Sequence, residues 1–445
     1  MSLYRGLLRR QEEGRPIRIG LIGAGKFGSM FLSQARRTPA FHVMGIADLS
    51  PRRAGDALRA TGWADGAVAR DFDAARRSGG VCLTDDAEEL IAADGLDIVI
   101  DATGDPAAGI GHVLLACSNG RDIVMVNVEA DALAGPLLAE RARSAGVVYS
   151  LAYGDQPALI CEQVDWARAC GFNVVAAGKG TLYHPEFHAS TPETVWRHFG
   201  MTPERAAESG LNAKMFNSFL DGTKSGIEMA AVANATGLAA PEAGLSFPPC
   251  EIGDLASMLI PSSAGGCLEN GGMVEVVSSR ARDGRDLSDD LRWGVYVTFE
   301  GGSGYVERCF SDYGLITDAS GRYSALWRPY HLIGLELGIS AASIALRGEP
   351  TGCPDGFRAD VVATAKRPLK RGETLDGEGG STVWGKLMPA KASVGNGCLP
   401  IGLAHGIKLV RDIAGGASVT WDDVAFDAHD PAVRFRREME AALAP

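Results

Sequence analysis

The sequence predicts an α/β fold: a doubly wound parallel sheet of the dinucleotide-binding type, then an α+β region, then a small β module. Three observations carry this. Short apolar runs alternate with helical patterns over the first 150 residues. A GxGxxG stands directly after the first run, and an acid ends the second. Strands that alternate with helices make a parallel sheet covered on both faces.

IRIGLI (17–22) is apolar and rich in β-branched residues, which suits a buried parallel strand. Gly23-Ala24-Gly25-Lys26-Phe27-Gly28 follows and opens a helix. Gly23 permits a tight turn, Gly25 lets backbone approach a pyrophosphate, and Gly28 lets helix and strand pack closely. The pyrophosphate would rest on free N–H groups at the positive helix end. VMGIADLS (43–50) is the second strand. Its Asp48 lies about 20 residues on, where a carboxylate bonds an adenosine ribose 2′-OH. Asp48 favours NAD, whereas Arg52 and Arg53 would attract the 2′-phosphate of NADP, so both cofactors stay open. A helix over 51–60 starts at Pro51. VCLTD (81–85), DAEELIAA (86–93) and DIVIDAT (97–103) read as strand, helix and strand. Thr103 and Gly104, at the end of the last of these, are placed for the nicotinamide half. DIVMVNVEA (122–130) is read as a strand ending in Glu129, with Asp131 beyond it, and VVYSLAY (147–153) closes the series.

From about residue 155 the alternation stops. CEQVDWARACGF (161–172) is helical, and NVVAAGKGT (173–181) is a strand holding Lys179 between Gly178 and Gly180, which are read as turn glycines. NAKMFNSFLDGTKSGIEMAAVANATG (212–237) reads as one long helix. On it Asn217, Asp221, Lys224 and Glu228 repeat every three or four residues and share a face. Such a polar stripe amid small and apolar residues suits substrate contact. Lys179, Lys224, Asp221 and Asp155 are candidates for proton transfer or carbonyl polarisation. Asn217, Glu228 and Glu129 are candidates for substrate binding. Glu129, Asp155 and Glu228 together would offer oxygen ligands to Mg²⁺ or Mn²⁺. In HPEFH (184–188), Pro185 argues for a loop rather than a metal-binding helix.

WGVYVTFE (293–300) and YVERCFSDY (305–313) read as a hairpin. RPYHLIGLELGISAASIALRG (328–348) reads as a helix returning to the first domain. His331, within it, is read as structural. RPLKRGETLD (367–376) and RDIAGGASVTWDD (411–423) echo each other and mark a β domain near 355–427. The expected boundaries are 1–154 for the dinucleotide domain, completed by 328–348, then 155–327 for substrate binding and oligomerisation, and 349–445 for the tail.

Composition narrows the partners. Lys plus Arg total 43 against 55 Asp plus Glu, a formal charge of −12, which disfavours nucleic acid. No apolar run approaches a membrane span, and the N-terminal residues have no signal-peptide core. The nine cysteines have no paired spacing. They read as buried thiols in a reducing compartment, so a cytoplasmic location is expected.

IGLIGAGKFG, ADLSP, DIVIDATG and VMVNVEAD resemble homoserine dehydrogenase-like oxidoreductases. KRPLKRGETLD and GIKLVRDIAGGASVTWDDV resemble an SAF domain, the antifreeze-like β-clip module. That order of modules resembles the DXR-like (DRL) reductoisomerase family. The resemblance implies a homodimer that takes a small anionic or polyhydroxy substrate. It also implies divalent-metal chemistry converting 1-deoxy-D-xylulose 5-phosphate to 2-C-methyl-D-erythritol 4-phosphate with NAD(P)H. The alternatives are a dehydrogenase of a small hydroxy acid or polyol, in which Asp221 and Lys224 match the Asp and Lys of homoserine dehydrogenases, and a non-catalytic cofactor-binding regulator.

Overall fold

The computed structural model describes residues 2–443. The chain divides into two compact units, the first formed by residues up to Leu159 with Leu332–Cys353, the second by Ile160–His331 with Pro354 onward.

The first unit holds a parallel sheet of seven strands: β1 Ile17–Ile22, β2 Phe41–Ala47, β3 Val68–Ala69, β4 Val81–Thr84, β5 Ile98–Asp101, β6 Asp122–Met125 and β7 Tyr149–Leu151. Their order is β3-β4-β2-β1-β5-β6-β7. β1 therefore has β2 on one side and β5 on the other. The chain direction across the sheet reverses there, so the loop after β1 opens at the switch point where such sheets bind ligands. Ile17, Ile19 and Leu21 of β1 are buried with Phe31, Leu32, Val43, Ile46, Ile98 and Ile100. Gly20 and Ile22, on the other face of β1, are buried as well, as a strand covered on both faces needs.

Two expectations for this unit are corrected. The strand at 122–130 stops at Met125, and a helix runs from Val128 to Ala145. The Asn127 side chain accepts from the Ala130 N–H and caps it, which puts Glu129 and Asp131 in its first turn. Within 328–348 the helix is only Gly338–Arg347. Gly334 precedes it at φ +77°, where a Cβ would stand 2.6 Å from Met30 Cβ and 2.7 Å from Phe27 O. That left-handed residue breaks the helical path. Leu337, Ala341, Ala342 and Ile344 join the core of the first unit.

The second unit contains β8 Asn173–Thr181, β9 Met273–Ser278, β10 Val295–Glu300 and β11 Tyr323–Arg328, in the order β11-β10-β8-β9. β8 pairs parallel with β9 and antiparallel with β10. Gly178 and Gly180 are not turn residues; both lie within β8. A Cβ on Gly178 would stand 1.8 Å from the Glu275 carbonyl oxygen, and one on Gly180 1.9 Å from that of Leu291. Close backbone approach explains both. Residues 305–313 do not form a hairpin strand. Gly304–Asp312 is a helix capped by Ser303, and β10 pairs instead with β11.

The predicted helix over 212–237 is two helices, Ala213–Asp221 and Thr223–Thr236. Gly222 at φ +93° ends the first in the left-handed conformation usual at helix C-termini.

The tail contributes β12 Ala359–Ala365, β13 Thr374–Asp376, β14 Val383–Pro389, β15 His405–Leu409 and β16 Val424–Ala425. β12 pairs with β14, and β13, β15 and β16 form a second small sheet. The two echoing segments meet each other: Leu369 and Ile413 exchange both backbone hydrogen bonds at 2.9 Å. Polar bonds tie the tail to the rest of its unit. The Asn234 carboxamide oxygen accepts from the N–H groups of Arg358 and Ala359, the Thr223 hydroxyl accepts from Gly385 N–H, and Lys214 donates to the Asp376 carbonyl. The last helix, Pro431–Ala442, inserts the fully buried Arg436 between Asp360 and Glu440.

Candidate functional site

The loop after β1 meets the requirements of a phosphate cradle. Gly23 has φ +95°, and a Cβ there would stand 2.7 Å from Ala102 O. Gly28 lies where a Cβ would approach Gly23 O to 2.3 Å. Gly25 has nothing within 4 Å of such an atom, so its face is open to a ligand. It is the N-cap of the helix Lys26–Ala35 and offers no side-chain cap. The first N–H groups of that helix need an acceptor, and an anion supplies one. Lys26 is exposed at this end and Phe27 half-buried.

Asp48 behaves differently from a free ribose acceptor. Its Oδ2 accepts from Ala24 N–H at 2.8 Å and from Arg53 Nη2 at 2.7 Å, and its Oδ1 from Ser50 N–H at 2.8 Å. The carboxylate is fully buried while the Arg53 side chain is 59% exposed. Burial alone would raise the Asp48 pKa, but the hydrogen bonds from Arg53, Ala24 and Ser50 outweigh it and hold the carboxyl below its ordinary value. Asp48 braces the glycine loop, and the outward charge is the guanidinium. Arg52 beside it is exposed.

At the end of β5, Asp101 organises the next loop. Its Oδ1 accepts from Thr103 N–H at 2.9 Å and Thr103 Oγ1 at 2.7 Å, and its Oδ2 lies 3.0 Å from His112 Nδ1. Asn127 Nδ2 donates to Thr103 Oγ1 and to Asp105 O. Thr103 and Gly104 are exposed on this braced turn, with Gly104 at φ +69°. His112 and Asn127 are not among the sequence candidates, and the sequence marks Asp101 only as the end of its strand. The N-x-E-x-D spacing from Asn127 to Asp131, a capping residue followed by acids, was the available signal.

The polar stripe in the second unit is not one surface. Asn217, fully buried, donates from Nδ2 to Ser190 O and Gly379 O and accepts from Ser190 Oγ. It clasps the tail. Asp221 accepts from Lys366 Nζ at 2.7 Å and from Thr223 N–H at 2.9 Å. Glu228 pairs with Lys179 across a hydrogen bond, with Lys179 8% and Glu228 5% exposed. Lys224 is half-buried at the start of the second helix. Gly222 divides the four residues into two helices with separate partners. Lys366 could not be foreseen as the partner of Asp221, because 145 residues separate them.

In the first unit, Glu129 is half-buried and Asp155 buried, with Asp155 Oδ1 accepting from Gln156 N–H at 2.9 Å. Of the expected metal ligands, Glu129 and Asp155 belong to the first unit and Glu228 to the second, and among the described residues no group of three or more His, Cys, Asp and Glu side chains is placed to hold a metal ion. Glu228 is engaged by an ammonium, which a cation would have to displace. HPEFH contains a short 3-10 turn, Pro185–Ala189, rather than a longer helix. His331 Nδ1 lies 2.8 Å from Trp293 O. No helix among the described residues is long and apolar enough to cross a membrane.

Comparison with known proteins places these features beside others. Residues 154–337 match the family model for the catalytic domain of oxidoreductase DRL. No curated protein matches the chain. Among solved structures, 1-deoxy-D-xylulose 5-phosphate reductoisomerase from Zymomonas mobilis with NADPH is 21% identical, with 49% of this chain and 57% of that one covered at a TM-score of 0.34. Biliverdin reductase from Synechocystis with biliverdin and NADP⁺ is 17% identical over 44% and 55%, at 0.27. An Agrobacterium radiobacter oxidoreductase with NAD⁺, L-tartaric acid and magnesium is 15% identical over 37% and 44%, at 0.27. The chain thus spans about half the length of these structures. The segment from 154 to 337 is similar to an oxidoreductase catalytic domain.

Proposed function

We propose that the chain is an NAD(P)-dependent oxidoreductase that interconverts an alcohol and a carbonyl in a small polar substrate. The observation that carries this is the glycine loop after β1, with open space over Gly25 and an uncapped helix end. The oxidoreductase-domain match over 154–337 supports the same reading. The N–H groups at the start of Lys26–Ala35 would hold the pyrophosphate. When bound, the nicotinamide supplies or accepts a hydride. Lys179 is the proposed proton donor to the carbonyl oxygen. Glu228 beside it balances its charge and fixes its direction.

We further propose a preference for NADP over NAD. Asp48 is turned inward, and Arg53 presents its charge where a 2′-phosphate would be recognised. The reductoisomerase reading adds a metal, and no group of three or more His, Cys, Asp and Glu side chains is placed to hold one among the described residues. Simple hydride transfer needs no such group, and the regulator reading has no separate observation behind it.

The test is fluorescence titration with NADPH and NADH, then turnover on a panel of small hydroxy acids, polyols and their carbonyl forms. Lys179→Met should abolish turnover and leave NADPH binding unchanged. No binding of either nucleotide refutes the oxidoreductase. Metal-dependent turnover of 1-deoxy-D-xylulose 5-phosphate would replace simple hydride transfer with the reductoisomerase.

A further inference from the structure

A cavity of about 390 Å³ opens within the second unit between the turn Pro185–Ala189, residues 243–247 and the strands β12 and β14. None of the residues assigned above to nucleotide binding or proton transfer lines it. Its size falls in the range of small-molecule pockets.

The wall is built with strain and braced against relaxing. Phe247 has φ +49°, and Ala40 is the other non-glycine residue with positive φ among the described residues. A bulky side chain in that region is strained and persists only where neighbours over-determine it. Here Glu275 accepts from Ser246 N–H, Ser246 Oγ and Phe247 N–H, while Arg282 donates to Ser246 O at 2.8 Å and Phe247 O at 2.9 Å. The Phe247 ring stacks on Tyr183 with centroids 4.0 Å apart.

The charged and titratable groups at the wall are in three different states. His188 stacks on Trp384 at 3.9 Å. Its Nδ1 lies 2.7 Å from Asp221 O and its Nε2 2.9 Å from Tyr183 Oη. A carbonyl can only accept, so Nδ1 carries the proton and Nε2 accepts from the phenol. Burial, with the neighbouring Lys366 and Lys386 charges, pushes the His188 pKa down to about 4 and keeps the ring neutral. Lys366 donates to Ser190 O, Asp221 Oδ2 and Gly380 O, so its three protons are all taken. Lys386 is half-buried on β14, and its ammonium has no hydrogen-bond or ion-pair partner among the described residues. Gly244 makes room for its stem, since a Cβ there would lie 2.9 Å from Lys386 Cε. Among the described residues no aspartate or glutamate lines the cavity.

We propose that this cavity binds a small anionic ligand, a carboxylate or a phosphate monoester, with its anionic group on Lys386 and its apolar part against Phe247 and Trp384. An ammonium with no carboxylate partner, in a braced cavity that also presents the Phe247 and Trp384 rings, is what such a ligand needs. The volume holds about a dozen non-hydrogen atoms at the packing of liquid water. The proposal is independent of the nucleotide site.

The test uses the full chain labelled with 5-fluorotryptophan, with the Trp384 resonance assigned by Trp384→Phe. Phenyl phosphate, benzoate and neutral benzyl alcohol are titrated in turn. One or both anions should shift the Trp384 signal saturably at millimolar concentrations or below, the alcohol should not, and the tighter anion names the class. Lys386→Met should weaken that binding about tenfold or more, while Lys386→Arg keeps it. The Lys386 ammonium has no hydrogen-bond or ion-pair partner among the described residues, so unchanged thermal unfolding of the Met variant shows that the loss is not a folding defect. No saturable shift with either anion, or equal affinity in Lys386→Met, overturns the proposal.

Discussion

Raising the pH from 4 to 8 should draw a proton from the interior of the first unit. Asp131 is fully buried in the first turn of Val128–Ala145. Tyr149 Oη donates to its Oδ1 at 2.7 Å, and Oδ2 has no hydrogen-bond partner among the described residues. Burial raises its pKa from 3.8 to about 7, partly opposed by the Tyr149 bond. The folded protein therefore holds a proton that the unfolded chain has released over this window. A group with a raised folded pKa contributes stability in full below the unfolded value and loses it as pH rises through the folded value. The loss runs from about pH 4 to about pH 7 and, at about 1.4 kcal/mol per pKa unit, totals about 4 kcal/mol. Asp131→Asn keeps an acceptor for Tyr149 and cannot ionise. The measurement is the unfolding temperature of the wild type minus that of the variant, at intervals from pH 4.5 to 8, so that other carboxylates cancel. The difference should fall steadily to about pH 7 and then level off, with the variant relatively most stable at high pH. A flat difference would refute the reasoning, because it would mean the side chain ionises normally in the fold.

Arg53→Ala should expose the Asp48 carboxylate and reduce the preference for NADPH over NADH about tenfold, as loss of a charge-assisted hydrogen bond implies; an unchanged affinity ratio removes Arg53 from 2′-phosphate recognition. Gly178→Ala should destabilise the second unit by about 3 kcal/mol or more, since its Cβ would meet Glu275 O at 1.8 Å. A urea midpoint equal to the wild type would show that β8 and β9 are not paired as described. Arg436→Met should cost about 3–5 kcal/mol by leaving Asp360 buried and unpaired. Adding Asp360→Asn should restore part of the loss, and no rescue would argue against a direct pair.

The parallel sheet was legible because its strands are contiguous apolar runs with glycine or acid at their ends. β1, β2, β4 and β5 stand close to where the pattern put them. Failures came where one residue decides the path. Gly222 reads as a tolerated glycine in a helical stretch, yet it ends one helix and begins another. Asn127 converts an apolar run into a strand plus a capped helix. In 304–312 a single buried Phe310 leaves too faint an apolar face to distinguish helix from strand. The glycines that shape the loop after β1 could be read directly from spacing. The partners of Asp48, Asp221 and Asn217 could not, because spacing shows that a carboxylate is available and not what already holds it.

The tail's attachment has a consequence for how such a chain can be cut or recombined. Asn217, Asp221, Thr223 and Asn234 lie before residue 331, yet each is satisfied by atoms beyond residue 354. A chain ending at residue 353 would leave four buried polar side chains facing absent partners, each at a cost of about 1–3 kcal/mol. Exchange of this tail for that of another protein would therefore have to match a set of polar sockets as well as an apolar seam. Inheritance would act on the two stretches as one, and a change in either should be answered by a change in the other.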